Sequence, residues 1–366
     1  MPDAPDTPAP PASPRPSRGV TALHALAVAA ATVLAARGFG ALGMPSPTLF
    51  AGLAVGLLDA LTVPRALPLP RQAGTAAQAV IGVTIGTLVQ LSTLAALAEH
   101  WLPVLLVTLG TLALSLGTGW LLGRHRDLDA VTGAFALVAG GASGLVVIAR
   151  QLGADERVVA VVQYLRVLLV VLSLPLVLQL GFGVRAAAGP AAAGTGPLWA
   201  GLALTVGCGV AGRWVGTRAH LPAASLLGPL VLAAVLSLSG LVPGVGVPGP
   251  LEDLGYAVIG LQVGLRFTRA SLATVARVLP AALALIVVGL LGSAGLAWAL
   301  SATTGLPLLD TYLATTPGGL YAVLAAAVGS GADATFVLSV QVLRLLVMLL
   351  AAPALASLLA RPRRPG

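Results

Sequence analysis

Two glutamine–arginine pairs, Gln163/Arg166 and Gln341/Arg344, carry the clearest chemical potential in this chain. Within each pair the residues are three apart, so both project from one helical face. A guanidinium there supplies permanent charge and an amide supplies hydrogen bonds, which together suit an anion. Each pair follows a helix breaker: Gly140-Gly141 precedes the first and Pro317-Gly318-Gly319 the second. Proline removes a backbone donor and glycine lets the chain unwind. Amides freed at the next helix start form a positive half-dipole that can hold an anion. The alternative is a packing kink, since glycine pairs let membrane helices touch.

Depth sharpens the question. A helix starting near Ala334 places Arg344 about 15 Å along its axis, near the middle of a roughly 30 Å hydrocarbon core. An arginine there costs at least about 2.5–3.5 kcal/mol and must face protein or water. A structural ion pair is the competing reading, with Asp310, Asp59 and Asp129 as the available carboxylates. Asp155 and Asp333, each in a Gly-Ala-Asp triplet ahead of the arginine helix, are expected to cap those helices.

The elements that position these residues must lie in a membrane. Hydrophobic residues make up 57% of the 366, charged residues only 9%, and mean hydropathy is +0.98. Soluble chains carry about 25% charge, so the expected fold class is an all-α polytopic membrane protein. The net charge of +8 comes from arginines scattered singly among apolar spans, with aromatics at 4%. That pattern argues against nucleic-acid binding. The lone Cys208 reads as a small hydrophobe. The four histidines read as interfacial, with no cluster that would hold a metal. No nucleophile elbow, zinc-protease helix, phosphate loop or dinucleotide fingerprint occurs, so neither an enzyme nor a cofactor is expected.

The chain is written twice. Residues 139–175 align without a gap to 317–353 at an offset of 178, with 14 of 37 positions identical. Apolar composition would match leucines and valines by chance. It would not align Asp155 with Asp333, Gln163 with Gln341, Arg166 with Arg344 and Pro175 with Pro353. The expected organisation is a Pro-rich disordered tail at 1–18, a membrane repeat at 19–182, a linker at 183–197, a second repeat at 198–360 and a basic tail at 361–366. Six apolar segments are expected in the first repeat, near 20–36, 47–63, 73–90, 101–123, 130–149 and 158–180. The third is short and glycine-rich and the fifth is interrupted, so either can be broken or re-entrant, giving about 10–12 membrane segments in all. Arginine-bearing loops fall on opposite phases in the two repeats, which implies an inverted repeat with both termini cytoplasmic.

The stretch from Thr315 to Pro353 resembles the duplicated motif of the AbrB-type bacterial integral membrane family. The shared pattern is Pro317-Gly318-Gly319, then Gly331-Ala332-Asp333, then Gln341-Val342-Leu343-Arg344-Leu345-Leu346. The first repeat departs from it, with Ala139 in place of the proline and Ser143 where the second has Tyr321. Members of the family are commonly labelled ammonia monooxygenases or regulators of gene expression; the soluble AbrB transition-state regulator shares only the name. The first label implies metal ligands that this chain does not offer. The family is also similar to inverted-repeat secondary transporters with broken helices at the midplane.

The expected function is therefore secondary transport of a small anionic solute across a bacterial inner membrane. The expected binding residues are Arg166, Arg344, Gln163, Gln341, Gly140, Gly141, Ser143, Pro317, Gly318, Gly319 and Tyr321. The expected partners are the lipid bilayer and that solute, with a homo-oligomer left open. The rival class is a membrane-embedded regulator that moves nothing.

Overall fold

A computed structural model describes residues 18–44, 46–63, 67–89, 91–126, 128–138, 154–184, 196–221, 223–269, 273 and 276–359. The tail, most of the linker, the basic C-terminus and the stretch holding Gly140, Gly141 and Ser143 lie outside the described residues. Among those described, the regular structure is helical. The first repeat contributes α1 (Arg18–Ala41), α2 (Pro47–Thr62), α3 (Arg71–Thr87), α4 (Leu91–Glu99), α5 (Trp101–Leu122), α6 (Ala130–Leu137) and α7 (Glu156–Leu176). The second contributes α8 (Leu198–Arg218), α9 (Ala224–Leu238), α10 (Gly249–Gly264), α11 (Leu279–Thr304), α12 (Leu308–Thr315), α13 (Leu320–Ser330) and α14 (Ala334–Leu359). The glycine-rich third segment is one unbroken helix. The short α4 is an addition to the six expected segments.

This is a polytopic membrane protein. Among the described residues, five helices are long and apolar enough to cross a bilayer. The leucines and valines they leave exposed, such as Leu26, Leu34, Val210 and Leu291, have lipid as their solvent. All five tryptophans are exposed near helix ends, where indoles favour the headgroup boundary. Trp101 and Trp120 of α5 are about 28 Å apart along the axis, close to the hydrocarbon thickness. Arg124 and Arg218 lie over Trp120 and Trp214 at 4.8 and 5.0 Å, so their stems run along the apolar helix while the charge reaches water.

Glycine sets the closest helix contacts, and these interlock the repeats. The two helices that follow each other in one repeat pack on the opposite members of the other: α2 against α10, and α3 against α9. A Cβ on Gly260 would lie 2.1 Å from the Leu49 carbonyl oxygen, and one on Gly82 would lie 2.4 Å from that of Leu226. Direction follows from the register of such contacts. Gly52 abuts Ala257 and Gly56 abuts Leu261 and Leu265, so α2 and α10 run parallel. Gly74 abuts Gln262 while Gly255 abuts Val80, so α3 and its repeat equivalent α10 run antiparallel.

Two layers result. One holds α1, α2, α3, α8, α9 and α10; the other holds α5, α6, α7 and α11 to α14. In the second layer the interrupted segment turns back on itself. The start of α7 lies beside the start of α6, because the Asp155 amide donates to Thr132 Oγ1 at 2.9 Å. The start of α14 lies likewise beside the start of α12, where the Asp333 amide donates to Asp310 Oδ1 at 3.1 Å. Segment α12–α13 is thus a re-entrant hairpin, with limbs about 12 and 16 Å long that reach roughly mid-depth. Among the described residues, α1, α2, α3, α5 and α7 of the first repeat and α8, α9, α10, α11 and α14 of the second run from one face toward the other. His24, Arg71, Arg124, Arg218 and Arg266 then share one face of the molecule, and Ser46, Leu88 and Asp333 lie at the other.

Gly260→Val is expected to lower detergent-solubilised thermal stability by about 1–3 kcal/mol, because a buried backbone must move. Gly289→Val, where nothing lies within 4 Å of an added Cβ, is expected to leave the melting temperature nearly unchanged. Equal losses at both positions would contradict the interlocked packing.

Candidate functional site

The hairpin tip and the arginine helices meet in the centre of the second layer. Thr316 ends α12 with extended backbone, and Pro317 is buried. Proline lacks the amide that a continuing helix would need, so the chain turns and α13 restarts at Leu320. Gly318 is required by proximity: a Cβ there would fall 2.3 Å from Val170 Cγ1 on α7. Gly319 faces Val167 one turn away at 3.0 Å. The second repeat's hairpin tip therefore packs against the helix that carries the first repeat's arginine.

Both arginines are buried, Arg166 at 8% and Arg344 at 5% exposure. Neither has a carboxylate within ion-pair distance among the described residues. The three available carboxylates are engaged elsewhere. Asp59 holds His24 Nε2 at 2.5 Å and accepts the Leu67 amide at 2.8 Å. Asp129 caps α6 through the Thr132 amide and hydroxyl, and Asp310 accepts the Asp333 amide. The guanidiniums donate to backbone instead. Arg344 Nη1 reaches the carbonyls of Thr315 (3.3 Å) and Thr316 (2.9 Å), and Arg166 Nη1 that of Leu137 (2.7 Å). These oxygens close the C-terminal ends of α12 and α6, where the helix dipole is negative and carbonyls lack intrahelical donors.

The glutamines repeat the arrangement one turn earlier. Gln163 Nε2 donates to Phe135 O and Gln341 Nε2 to Leu313 O, both at 2.9 Å. Gln341 also donates to Thr316 O at 3.1 Å, and its Oε1 accepts from Arg344 Nη2. Sequence equivalence at 178 residues thus extends to individual hydrogen bonds. Half-helix ends exist in this site with both polarities. The carbonyl ends hold the arginines, while the first-turn amides of α13 begin at the tip itself.

What remains unfilled defines the chemistry. Nε of Arg166 and Nε of Arg344 are buried and have no hydrogen-bond partner. Arg344 lies within electrostatic reach of Arg166. Two buried cations with orphaned donors, and no carboxylate partner among the described residues, are chemically suited to an anion.

The structure brings Arg166, Arg344, Gln163, Gln341, Pro317, Gly318 and Gly319 together, with Tyr321 half-buried in the first turn of α13. Gly140, Gly141 and Ser143 lie outside the described residues. Asp155 caps α7 by accepting the amides of Arg157 and Val158, and Asp333 accepts that of Phe336. Both sit at helix starts, about 15 Å from the arginines. Sequence reasoning missed the Thr315, Thr316 and Leu137 carbonyls, because a backbone acceptor has no signature in residue type. It also placed the freed amides, rather than the carbonyl ends, beside the arginines.

Comparison with known proteins agrees with the repeat motif. Residues 49–360 match the family described as "Transition state regulatory protein AbrB". The AbrB protein of Escherichia coli (strain K12) is 37% identical over 326 residues, covering 89% of this chain and 93% of the relative. The protein YhjN of Bacillus subtilis (strain 168), described as uncharacterized, is 29% identical over 301 residues, covering 75% and 76%.

Gly318→Ala is expected to cost about 1–3 kcal/mol by forcing the tip away from α7. Val170→Ala in the same chain should restore most of that loss in thermal melts. No recovery would mean that the glycine is required by its backbone shape rather than by Val170.

Proposed function

This chain belongs to the AbrB family, and we propose that it is a secondary transporter of a small anionic solute. The observation that carries the reading is the pair of buried arginines with free Nε donors and no carboxylate partner, held at a re-entrant hairpin tip. In this reading Arg166 and Arg344 supply charge to the anion. The C-terminal carbonyls of α6 and α12 hold the guanidiniums in place without neutralising them. Gln163 and Gln341 fix those carbonyl ends, and the α13 amides at Gly319 to Tyr321 add donors once the solute arrives.

Alternating access needs two arrangements of nearly equal energy, and an inverted repeat supplies them by exchanging the roles of its halves. Two features support inversion here: the antiparallel α3 and α10, and the odd number of traversals per repeat. Arg71, Arg124, Arg218 and Arg266 on one face support a cytoplasmic location for that face and for both termini. The relatives come from bacteria, which supports the bacterial inner membrane as the location. The family's description as regulatory favours a second reading, a membrane sensor that binds the same anion and moves nothing.

Reconstitution into liposomes with a panel of organic and inorganic anions tests transport, and binding without flux would favour the sensor. Arg344→Gln is expected to abolish flux. It should cost only about 1–3 kcal/mol of stability, since it removes a donor from the Thr315 and Thr316 carbonyls and from Gln341 Oε1 but strands no carboxylate. A loss of about 3–5 kcal/mol, as for a broken buried ion pair, would make the arginine scaffolding. Arg166→Gln should act in the same direction and less strongly, because the second repeat alone has the full Pro-Gly-Gly. Reporter fusions at both ends are expected to read cytoplasmic; a C-terminus outside would overturn the orientation.

A further inference from the structure

The two layers touch unevenly across their boundary. Three hydrogen bonds between side chains of one layer and the backbone of the other are present among the described residues, and all lie toward the face opposite Arg266. Ser46 Oγ donates to Ala325 O at 2.6 Å, Gln179 Nε2 to Gly43 O at 3.2 Å, and Thr335 Oγ1 to Leu88 O at 3.4 Å. On the arginine-rich face the layers meet through a different contact. The Arg266 guanidinium, at the end of α10, lies 4.5 Å from the ring centroid of Tyr164 on α7. The repeat makes the contrast specific, because Arg157 and Arg266 are the sequence equivalents of Thr335 and Leu88. One face has a hydrogen bond at these positions, and the other has two exposed cations.

The residues behind Arg266 lead inward. Tyr164 stands on α7 between Gln163 and Arg166. Tyr321 follows the Gly318-Gly319 tip, and Arg266 is close enough to act on it electrostatically. Tyr164, Gly318, Gly319 and Tyr321 are only half-buried, although they lie near mid-depth. Irregular backbone at that depth cannot face lipid, so the surface left open at the tip faces water. Among the described residues the hydrogen bonds between the layers lie toward the far face, which favours the arginine-rich face as the way in.

We infer that an aqueous vestibule opens on the arginine-rich face between α10 and the α7–α13 surface, and that Arg266 is its anion-selecting residue. This rests on the reading of Arg166 and Arg344 as an anion site. The Tyr164 ring orients the guanidinium without cancelling its charge, so Arg266 attracts the anion that the deeper pair then holds. No carboxylate pairs with Arg266 among the described residues. Its side chain also spans the boundary between the layers, so it joins the first contact with solute to their relative movement.

The test does not require the solute to be known. In a Cys208→Ser background, Tyr321→Cys is exposed to two membrane-impermeant thiol reagents, anionic sulfonatoethyl and cationic trimethylammonioethyl methanethiosulfonate, applied to each face of sealed vesicles. Labelling is expected only from the arginine-rich face. The anionic reagent should react about tenfold faster than the cationic one after correction for intrinsic rates. Arg266→Gln should erase the preference and Arg266→Lys should keep it. If Tyr321→Cys does not fold, Tyr164→Cys is probed in the same way. Labelling from the opposite face, from neither face, or with a preference that survives Arg266→Gln would overturn the vestibule. The expected pattern in a protein that moves none of the screened anions would leave the vestibule standing and retire transport.

Discussion

A permanent charge at mid-depth in hydrocarbon is the constraint on which the rest of this structure depends. Arginine cannot shed its proton to escape the cost, so it must find oxygen. A carboxylate would satisfy it and cancel it. This protein uses peptide carbonyls at the ends of half-helices, which stabilise a cation with partial charges and leave the net charge in place. That choice requires helices that stop at mid-depth, and stopping requires Pro317 with glycines slim enough to pack beside Val170. The re-entrant hairpin, the glutamines that pin its carbonyl end and the buried threonines around it follow from one placement of charge.

Much of this was legible in residue types. The membrane class followed from composition, and the duplication followed from polar residues that recur in register among apolar ones. The break after Thr316 was visible as Pro-Gly-Gly. Chain direction past the break was not. A continuing crossing and a hairpin share the same apolar runs and the same breaker, and only the bond from the Asp333 amide to Asp310 separates them. Partner identity was also hidden. Gln341 and Arg344 announced a polar site, but their acceptors are carbonyls of Leu313, Thr315 and Thr316, whose side chains say nothing about that role. The pairing of α2 with α10 escaped for a related reason. Glycines at 52, 56, 260 and 264 mark close approach without naming what approaches.

The repeats have diverged where symmetry would be a liability. Identical halves would give two chemically equivalent faces. Here Asp310 stands where the first repeat has Thr132, Tyr321 where it has Ser143, and Arg157 and Arg266 where the second repeat and α3 place Thr335 and Leu88. Cationic charge stands at one boundary and Asp310 at the other, while the inner glutamine–arginine framework has been kept. The central framework is thereby held constant while the two faces differ in charge.

The exchange of partners between repeats has a consequence for how the protein is made. A ribosome delivers α1 to α7 well before α9 and α10 exist, yet the glycine faces of α2 and α3 are shaped for those later helices. A repeat unit in sequence is therefore not a unit of assembly. The first half must wait in the bilayer with its grooves occupied by lipid tails, whose removal accompanies the docking of the second. The packing of α2 and α3 is therefore completed only after the second repeat has entered the bilayer.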